Sequence, residues 1–147
     1  KLNAQIVFMP MQYPEDVKAA KKIVVKMKQP ACILKEDFTT RELMSLVGNM
    51  DLMIGIRLHA LIFAGVMGTP MIGISYDPKI DRFLKSIDED VVGDLENVTV
   101  EALMQEINAK WNNKEIYRNQ NLKRMAKLRS LARSNAEMAL EFIDKNK

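Results

Sequence analysis

Cysteine, histidine, aromatic residues and long apolar runs are all scarce in this chain. The single cysteine, Cys32, cannot close an internal disulfide, which points to a reducing compartment and a cytoplasmic location. One cysteine and one histidine cannot build a zinc site from soft ligands, so neither metal nor cofactor is expected. Aromatic residues make up only 6% of the chain, and no basic residue sits in a nucleic-acid recognition motif, which argues against a nucleic-acid partner. No apolar run approaches the ~20 residues that span a bilayer. A signal peptide is also missing. The chain opens Lys1-Leu2-Asn3 and enters an apolar run at once, as expected of a piece of a longer protein. There is no G-x-G-x-x-G and no G-K-[ST] phosphate loop, and Gly73-Ile74-Ser75-Tyr76-Asp77 is not a nucleophile elbow.

What remains is an ordinary globular composition: 147 residues, 48% hydrophobic, 28% charged, with a formal net charge of +3. That length suits one domain, taken as residues 1–147, with a core large enough to need no staples. Five short apolar runs recur at intervals of roughly 20 to 25 residues, close to one βα unit. They are Ile6–Met9, Ala31–Leu34, Leu52–Ile56, Met71–Ile74 and the weaker Val91-Val92. Continuous apolarity suits strands buried on both faces of a parallel sheet. The intervening segments read as helices. Val17, Ala20, Val24 and Met27 share a face after Pro14; Thr39 to Glu42 has capping-box spacing; Asp77-Pro78 reads as an N-cap and first helical residue; Thr99 opens the stripe Val100, Leu103, Met104, Ile107, Trp111. A long last helix over 114–145 carries Leu122, Met125, Leu128, Ala132, Ala139 and Phe142. The fold class is therefore α/β, a Rossmann-like parallel sheet with helices on both faces. Gly65-x-x-Gly68 reads as helix packing followed by a turn before Pro70.

In such a sheet, ligands bind beyond the carboxyl ends of the strands, where loops and helix N-termini gather. The junctions to inspect are Pro10–Tyr13, Lys35-Glu36-Asp37, Gly55–Ala60 and Ser75–Lys79. Arg57 and His59 fall two residues apart at the third junction. A helix N-terminus there offers free N–H groups and a positive dipole end, and an arginine adds a planar fork for carboxylate or phosphate. Such a site suits a small anion, with His59 handling a proton. The alternative is structural: Arg57 capping a strand end and His59 a half-buried helix residue. Lys79 lies at another helix N-terminus, where the dipole disfavours a cation by about 0.3–1 kcal/mol. It is either answering an anion or a solvated surface lysine. Asp88-Glu89-Asp90 reads as a solvated loop after a helix.

At Arg57-Leu58-His59-Ala60, Gly68-Thr69-Pro70 and Tyr76-Asp77-Pro78-Lys79 the chain resembles the C-terminal domain of polysaccharide pyruvyl transferases, especially the CsaB type that modifies secondary cell-wall polymers. The resemblance runs from Phe8-Met9-Pro10 through the last helix. It implies one half of a two-domain architecture similar to GT-B glycosyltransferases, with an N-terminal partner domain outside this sequence. It also implies transfer of the enolpyruvyl group of phosphoenolpyruvate onto two hydroxyls of a sugar, as a cyclic ketal, with release of phosphate. For the CsaB type the acceptor is a lipid-linked saccharide ending in N-acetylmannosamine. The family's phosphoenolpyruvate-binding histidine falls on His59, its arginine on Arg57, with Leu58 between them, and a further active-site lysine on Lys79. The fragment alone is expected to bind weakly and not to turn over.

Two rival readings stand beside this one. A GT-B-type nucleotide-sugar enzyme would use the same junction for a diphosphate, with Asp88, Glu89 or Asp90 holding a ribose. A non-catalytic interaction domain would leave Arg57, His59 and Lys79 without a ligand. The basic run from Lys110 to Arg133, opposed by Glu115 alone, has two readings of its own. It is a solvated face of a helix packed on the sheet or the absent domain, or it attracts an anionic membrane surface on the inner face of the cell.

Overall fold

The computed structural model describes residues 2–35 and 38–145. Glu36 and Asp37, named above as following the second strand, lie outside the described residues. The chain divides into two compact units, Lys1–Thr40 and Arg41–Lys147.

The first unit is one βαβ step. Strand β1 (Ile6–Phe8) pairs in parallel with β2 (Ala31–Ile33), Ile6 opposite Ala31 and Phe8 opposite Ile33, and helix α1 (Glu15–Val24) connects them. Asp16 fixes the entry to α1, its Oδ2 accepting from the Met11 and Gln12 amides at 3.1 and 2.9 Å. Glu15 and Asp16 in the first turn and Lys21 and Lys22 in the last complement the helix dipole. Val17 and Ala20 form the buried face, but α1 ends at Val24 and leaves Met27 beyond it. Burial of β1 on both faces is not realised: Ile6 and Val7 are exposed. A two-stranded pair with one crossover helix covers one face.

The second unit holds a three-stranded parallel sheet in the order β3-β4-β5. Its elements are α2 (Thr40–Gly48), β3 (Met53–Gly55), α3 (Leu58–Met67), β4 (Met71–Ser75), α4 (Pro78–Ser86), β5 (Val91–Asp94), α5 (Val100–Asn112) and α6 (Lys114–Lys145). Met53 pairs with Met71 and Gly55 with Gly73, while Ser75 pairs with Asp94 across an irregularity in the β4–β5 register. The central strand β4 is buried along most of its length, as its continuous apolar run requires. Around it pack Val47, Leu61, Ala64, Ile80, Leu84 and Ile87. Gly73 allows this: a Cβ there would stand 2.4 Å from Leu84 Cδ1. The chain thus has an α/β fold with parallel strands flanked by helices, a Rossmann-like arrangement.

Two of the caps expected from sequence, at Asp77 and Thr99, are present. Asp77 accepts from the Lys79 amide at 2.9 Å with Pro78 as first helical residue, and Thr99 accepts from the Ala102 amide at 3.1 Å. Gly68 closes α3 at φ 76°, a conformation glycine adopts without strain. Gly65 lets Met125 of α6 settle on α3, where an added Cβ would lie 2.9 Å from its Sδ. Beside this contact, buried Asn121 donates to the Thr69 carbonyl at 3.0 Å and the Thr69 hydroxyl donates to the Val47 carbonyl at 2.7 Å.

Three expectations fail in this unit. Asp88-Glu89-Asp90 is not simply a solvated loop, because the Glu89 side chain is only 9% exposed and bridges Lys110 Nζ at 2.6 Å and Arg124 Nη1 at 2.7 Å. The basic run is not simply a solvated face either. Lys110 is buried and also donates to the Met71 carbonyl at 2.7 Å, and Lys114 pairs with Asp51 at 2.6 Å. Finally, the apolar stripes overreach: Val100 is exposed, and on α6 Ala132, Ala139 and Phe142 all face solvent. Beyond Leu128 every described residue of α6 is exposed.

Candidate functional site

Strands β3 and β4 are parallel neighbours in register, so the helices that follow them open at the same carboxyl edge of the sheet. Gly55 ends β3, and Arg57 becomes the N-cap of α3 in extended conformation, φ −99° and ψ 127°. Leu58 is the first helical residue and His59 the second. The tight turn is possible because Gly55 carries no Cβ, which would meet Leu61 Cδ2 at 3.0 Å. Arg57 and Leu58 are half-buried, with the Arg57 Nε shielded from solvent, and His59 is exposed. The first turn of α3 contains no acidic residue and Arg57 makes no side-chain cap. Its free N–H groups and positive dipole end therefore stand with a guanidinium and an imidazole and without a carboxylate of their own turn, an arrangement that favours an anion.

The neighbouring helix start is different. On α4, Asp77 caps the N-terminus, and its carboxyl is held below its ordinary value of 3.8, first by the Lys79 amide and then by the Lys79 side chain. Lys79 Nζ lies 3.2 Å from Asp77 Oδ2 and 5.8 Å from the centre of the Tyr76 ring. Lys79 is thus half-exposed and already answers an anion, the carboxylate two residues before it. An external anion would have to draw it away from Asp77. At the end of β4, Ser75 is buried and its hydroxyl donates to Asp81 Oδ2 in the first turn of α4. Asp81 is a partner that sequence spacing did not mark.

The same carboxyl edge continues to β5. Asp94 ends that strand and accepts from the amides of Glu96 at 2.9 Å and Asn97 at 2.8 Å, which holds its carboxyl below 3.8 together with the Asn97 side chain, the largest contributor. Asp94 is therefore occupied by its own turn.

The sequence model of the family described as polysaccharide pyruvyl transferase matches residues 2–78, just over half of the chain. The chain belongs to the polysaccharide pyruvyl transferase family. The matched segment includes Arg57, Leu58 and His59 and ends at Pro78, one residue before Lys79. It does not extend through α5 and α6, so the likeness is narrower than the whole-chain resemblance read from sequence. No curated protein matches the chain, and no solved structure does.

The acidic triplet lies elsewhere in the chain. Asp88–Asp90 lead into β5 and so stand at the amino edge of the sheet, opposite the edge where Arg57 and His59 lie. A groove of about 510 Å³ opens there, lined by Asp90, Glu106, Tyr117 and the Glu89–Lys110–Arg124 network. The triplet considered for holding a ribose therefore stands at the other end of the parallel strands from the Arg57 junction. Lys110 was missed as a structural residue because a lysine in a basic run carries no signal of burial. Among the described residues no group of three or more His, Cys, Asp and Glu side chains is placed to hold a metal, and no helix is long and apolar enough to cross a membrane.

Proposed function

We propose that this chain binds phosphoenolpyruvate at the carboxyl edge of β3 and β4 as part of an enzyme that ketalises a cell-wall saccharide. The observation that carries the reading is the start of α3, where Arg57 and His59 flank uncapped N–H groups with no acidic residue in the turn. The substrate has two anionic groups, a carboxylate and a phosphate. Arg57 suits bidentate contact with one of them, the α3 N-terminus receives the other, and Lys79 joins by exchanging Asp77 for the ligand. Leu58 lines the approach.

The reaction then needs three proton movements. Protonation of the methylene carbon gives an oxocarbenium-like centre at C2, which one sugar hydroxyl attacks with loss of its proton. The second hydroxyl displaces phosphate and loses its proton in turn, closing the ketal. His59 is the side chain suited to carry these protons, since histidine ionises nearest neutrality. In this reading the acceptor is a lipid-linked saccharide ending in N-acetylmannosamine. A second, N-terminal domain closes the cleft, and the reaction takes place on the cytoplasmic side of the membrane.

The test uses the solitary histidine, whose ring C–H signals belong to His59 alone. Phosphoenolpyruvate is expected to shift those signals in a saturable way, and Arg57→Ala to weaken that response at least tenfold. A UDP-sugar is expected to leave them unmoved. A response to the UDP-sugar alone transfers the site to nucleotide-sugar chemistry, and no response to either ligand refutes the assignment of donor binding to this junction.

A further inference from the structure

The formal net charge of +3 is not shared between the two units. Residues 41–147 carry fifteen basic and fifteen acidic side chains, so the whole excess lies in the first forty residues, where seven lysines face four acids. Within them Lys18, Lys21, Lys22, Lys26, Lys28 and Lys35 follow one another with no acid from position 17 to position 35. All six are exposed, and none forms an ion pair among the described residues. The basic residues of the second unit are partly spent, Lys110 and Arg124 on Glu89 and Lys114 on Asp51.

Helix α1 gathers these charges on one side. Val17 and Ala20 face inward. At 3.6 residues per turn the row opposite them is Lys18, Lys22 and Lys26, spread over about 12 Å, with Ile23 on one flank and Val25 and Lys21 on the other. Val25 is 86% exposed, more than any other large apolar side chain of the described residues, and Ile23 is 49% exposed. Lysines four apart on one helix face repel each other. Lys21 and Lys22 complement the α1 dipole, but Lys18 in the first half of the helix and Lys28 beyond its end do not. Local helix chemistry therefore does not account for the row.

We infer that this face of α1 docks on an anionic bilayer surface, the helix lying in the plane of the interface with Ile23 and Val25 among the headgroups. Three features choose that occupant. The excess is all lysine, with no arginine before Arg41. Compact ammonium charges suit a diffuse sheet of headgroups, where a guanidinium fork suits one bound carboxylate or phosphate. Their long stems also keep each charge at headgroup level while the helix settles deeper. Finally, a soluble polyanion would satisfy the ammonium groups and leave Val25 in water, whereas a bilayer covers both kinds of side chain. The surface uses none of the residues named for phosphoenolpyruvate and stands independently of that reading, although the lipid-linked acceptor would lie on the same membrane.

Co-sedimentation of the 147-residue chain with lipid vesicles tests this. The chain should bind vesicles of phosphatidylcholine containing about one-third phosphatidylglycerol, and not vesicles of phosphatidylcholine alone. Lys22→Gln with Lys26→Gln should lower the partition coefficient about 25-fold, at about fivefold per lysine. Their circular dichroism should match the parent, because both side chains are exposed. Val25→Ser should lower partitioning by about threefold or more with the charge unchanged. Lys123→Gln with Lys127→Gln on α6 should leave it within about twofold, since charges outside the docked face are screened by salt. Binding indifferent to phosphatidylglycerol would overturn the inference. So would a loss that follows Lys123 and Lys127 in place of Lys22 and Lys26, or equal capture by heparin with Val25→Ser binding like the parent.

Discussion

Replacing Lys110 by methionine should destabilise the second unit far more than any other single loss of a lysine charge. The Lys110 side chain is 5% exposed and holds Glu89, itself 9% exposed, at 2.6 Å, while donating to the Met71 carbonyl at 2.7 Å. Removing one member of a buried pair costs about 3–5 kcal/mol, because the other charge stays behind in a poor dielectric. An orphaned buried carbonyl adds about 1–3 kcal/mol. These costs overlap, and Arg124 continues to hold Glu89 at 2.7 Å, so the net loss expected is about 3 kcal/mol. Lys114 provides the internal control. It pairs with Asp51 at the same 2.6 Å, but both side chains are substantially exposed, and such pairs contribute about 0–1 kcal/mol. The assay is urea unfolding followed by Trp111, the only tryptophan, which lies on α5 next to Lys110. With a slope of about 1.5 kcal/mol per molar, Lys110→Met should lower the midpoint by about 2 M and Lys114→Met by less than about 0.7 M. Adding Glu89→Gln to Lys110→Met should recover part of the loss, since the stranded charge is gone. Equal midpoints for the two lysine variants would refute the reasoning, and with it the claim that burial decides what these ion pairs contribute.

Gly73→Ala should cost about 1–3 kcal/mol, because its methyl would collide with Leu84 on the packed face of β4; thermal melting by circular dichroism reads this directly. Thr99→Ala removes the hydroxyl that caps α5 and should cost about 1 kcal/mol in the same measurement. Asp77 has a carboxyl titrating below its ordinary 3.8, so its contribution is complete above that value and is lost as pH falls through the lowered folded range. Asp77→Asn should therefore differ most from the parent near neutral pH, and the gap between their urea midpoints should close on acidification below 3.8. The same substitution frees Lys79 and should strengthen phosphoenolpyruvate binding in a calorimetric titration; unchanged affinity would show that Lys79 takes no part.

The alternation of strands and helices was legible because each strand is a short apolar run between punctuation residues. Asp77-Pro78, Thr99 and Gly68 acted as expected, since capping and left-handed turns are local chemistry that one or two residues decide. What periodicity could not supply was the extent of packing. The α6 stripe continues past Leu128 in the sequence, but the elements it could pack on end earlier, so Phe142 reads as core and stands in solvent. The opposite error occurred at Lys110 and Glu89. Charged residues count as surface unless a partner is known, and their partnership joins residues 21 apart, from the loop before β5 and from α5.

The candidate site was legible for a related reason, and its internal asymmetry was not. Sequence placed Arg57, His59 and Lys79 each at a helix start after a strand, and parallel pairing of β3 with β4 brings those starts to one edge. The two starts nevertheless differ in electrostatic state. That of α4 is already neutralised by Asp77, which occupies the Lys79 amide and the Lys79 ammonium together. That of α3 has a guanidinium and an imidazole and no carboxylate in its turn. The α3 amides carry no side-chain cap, so an arriving dianion should engage them first, and Lys79 second, as it trades one carboxylate for another. The order has a measurable consequence. Arg57→Ala should abolish most of the binding whatever stands at residue 77, whereas Lys79→Ala should weaken it only modestly while Asp77 is present. In an Asp77→Asn background the Lys79 loss should grow, because the lysine is then fully available to the ligand. A Lys79 effect that ignores residue 77 would mean that Asp77 does not compete with the ligand, and that the two helix starts act as equals.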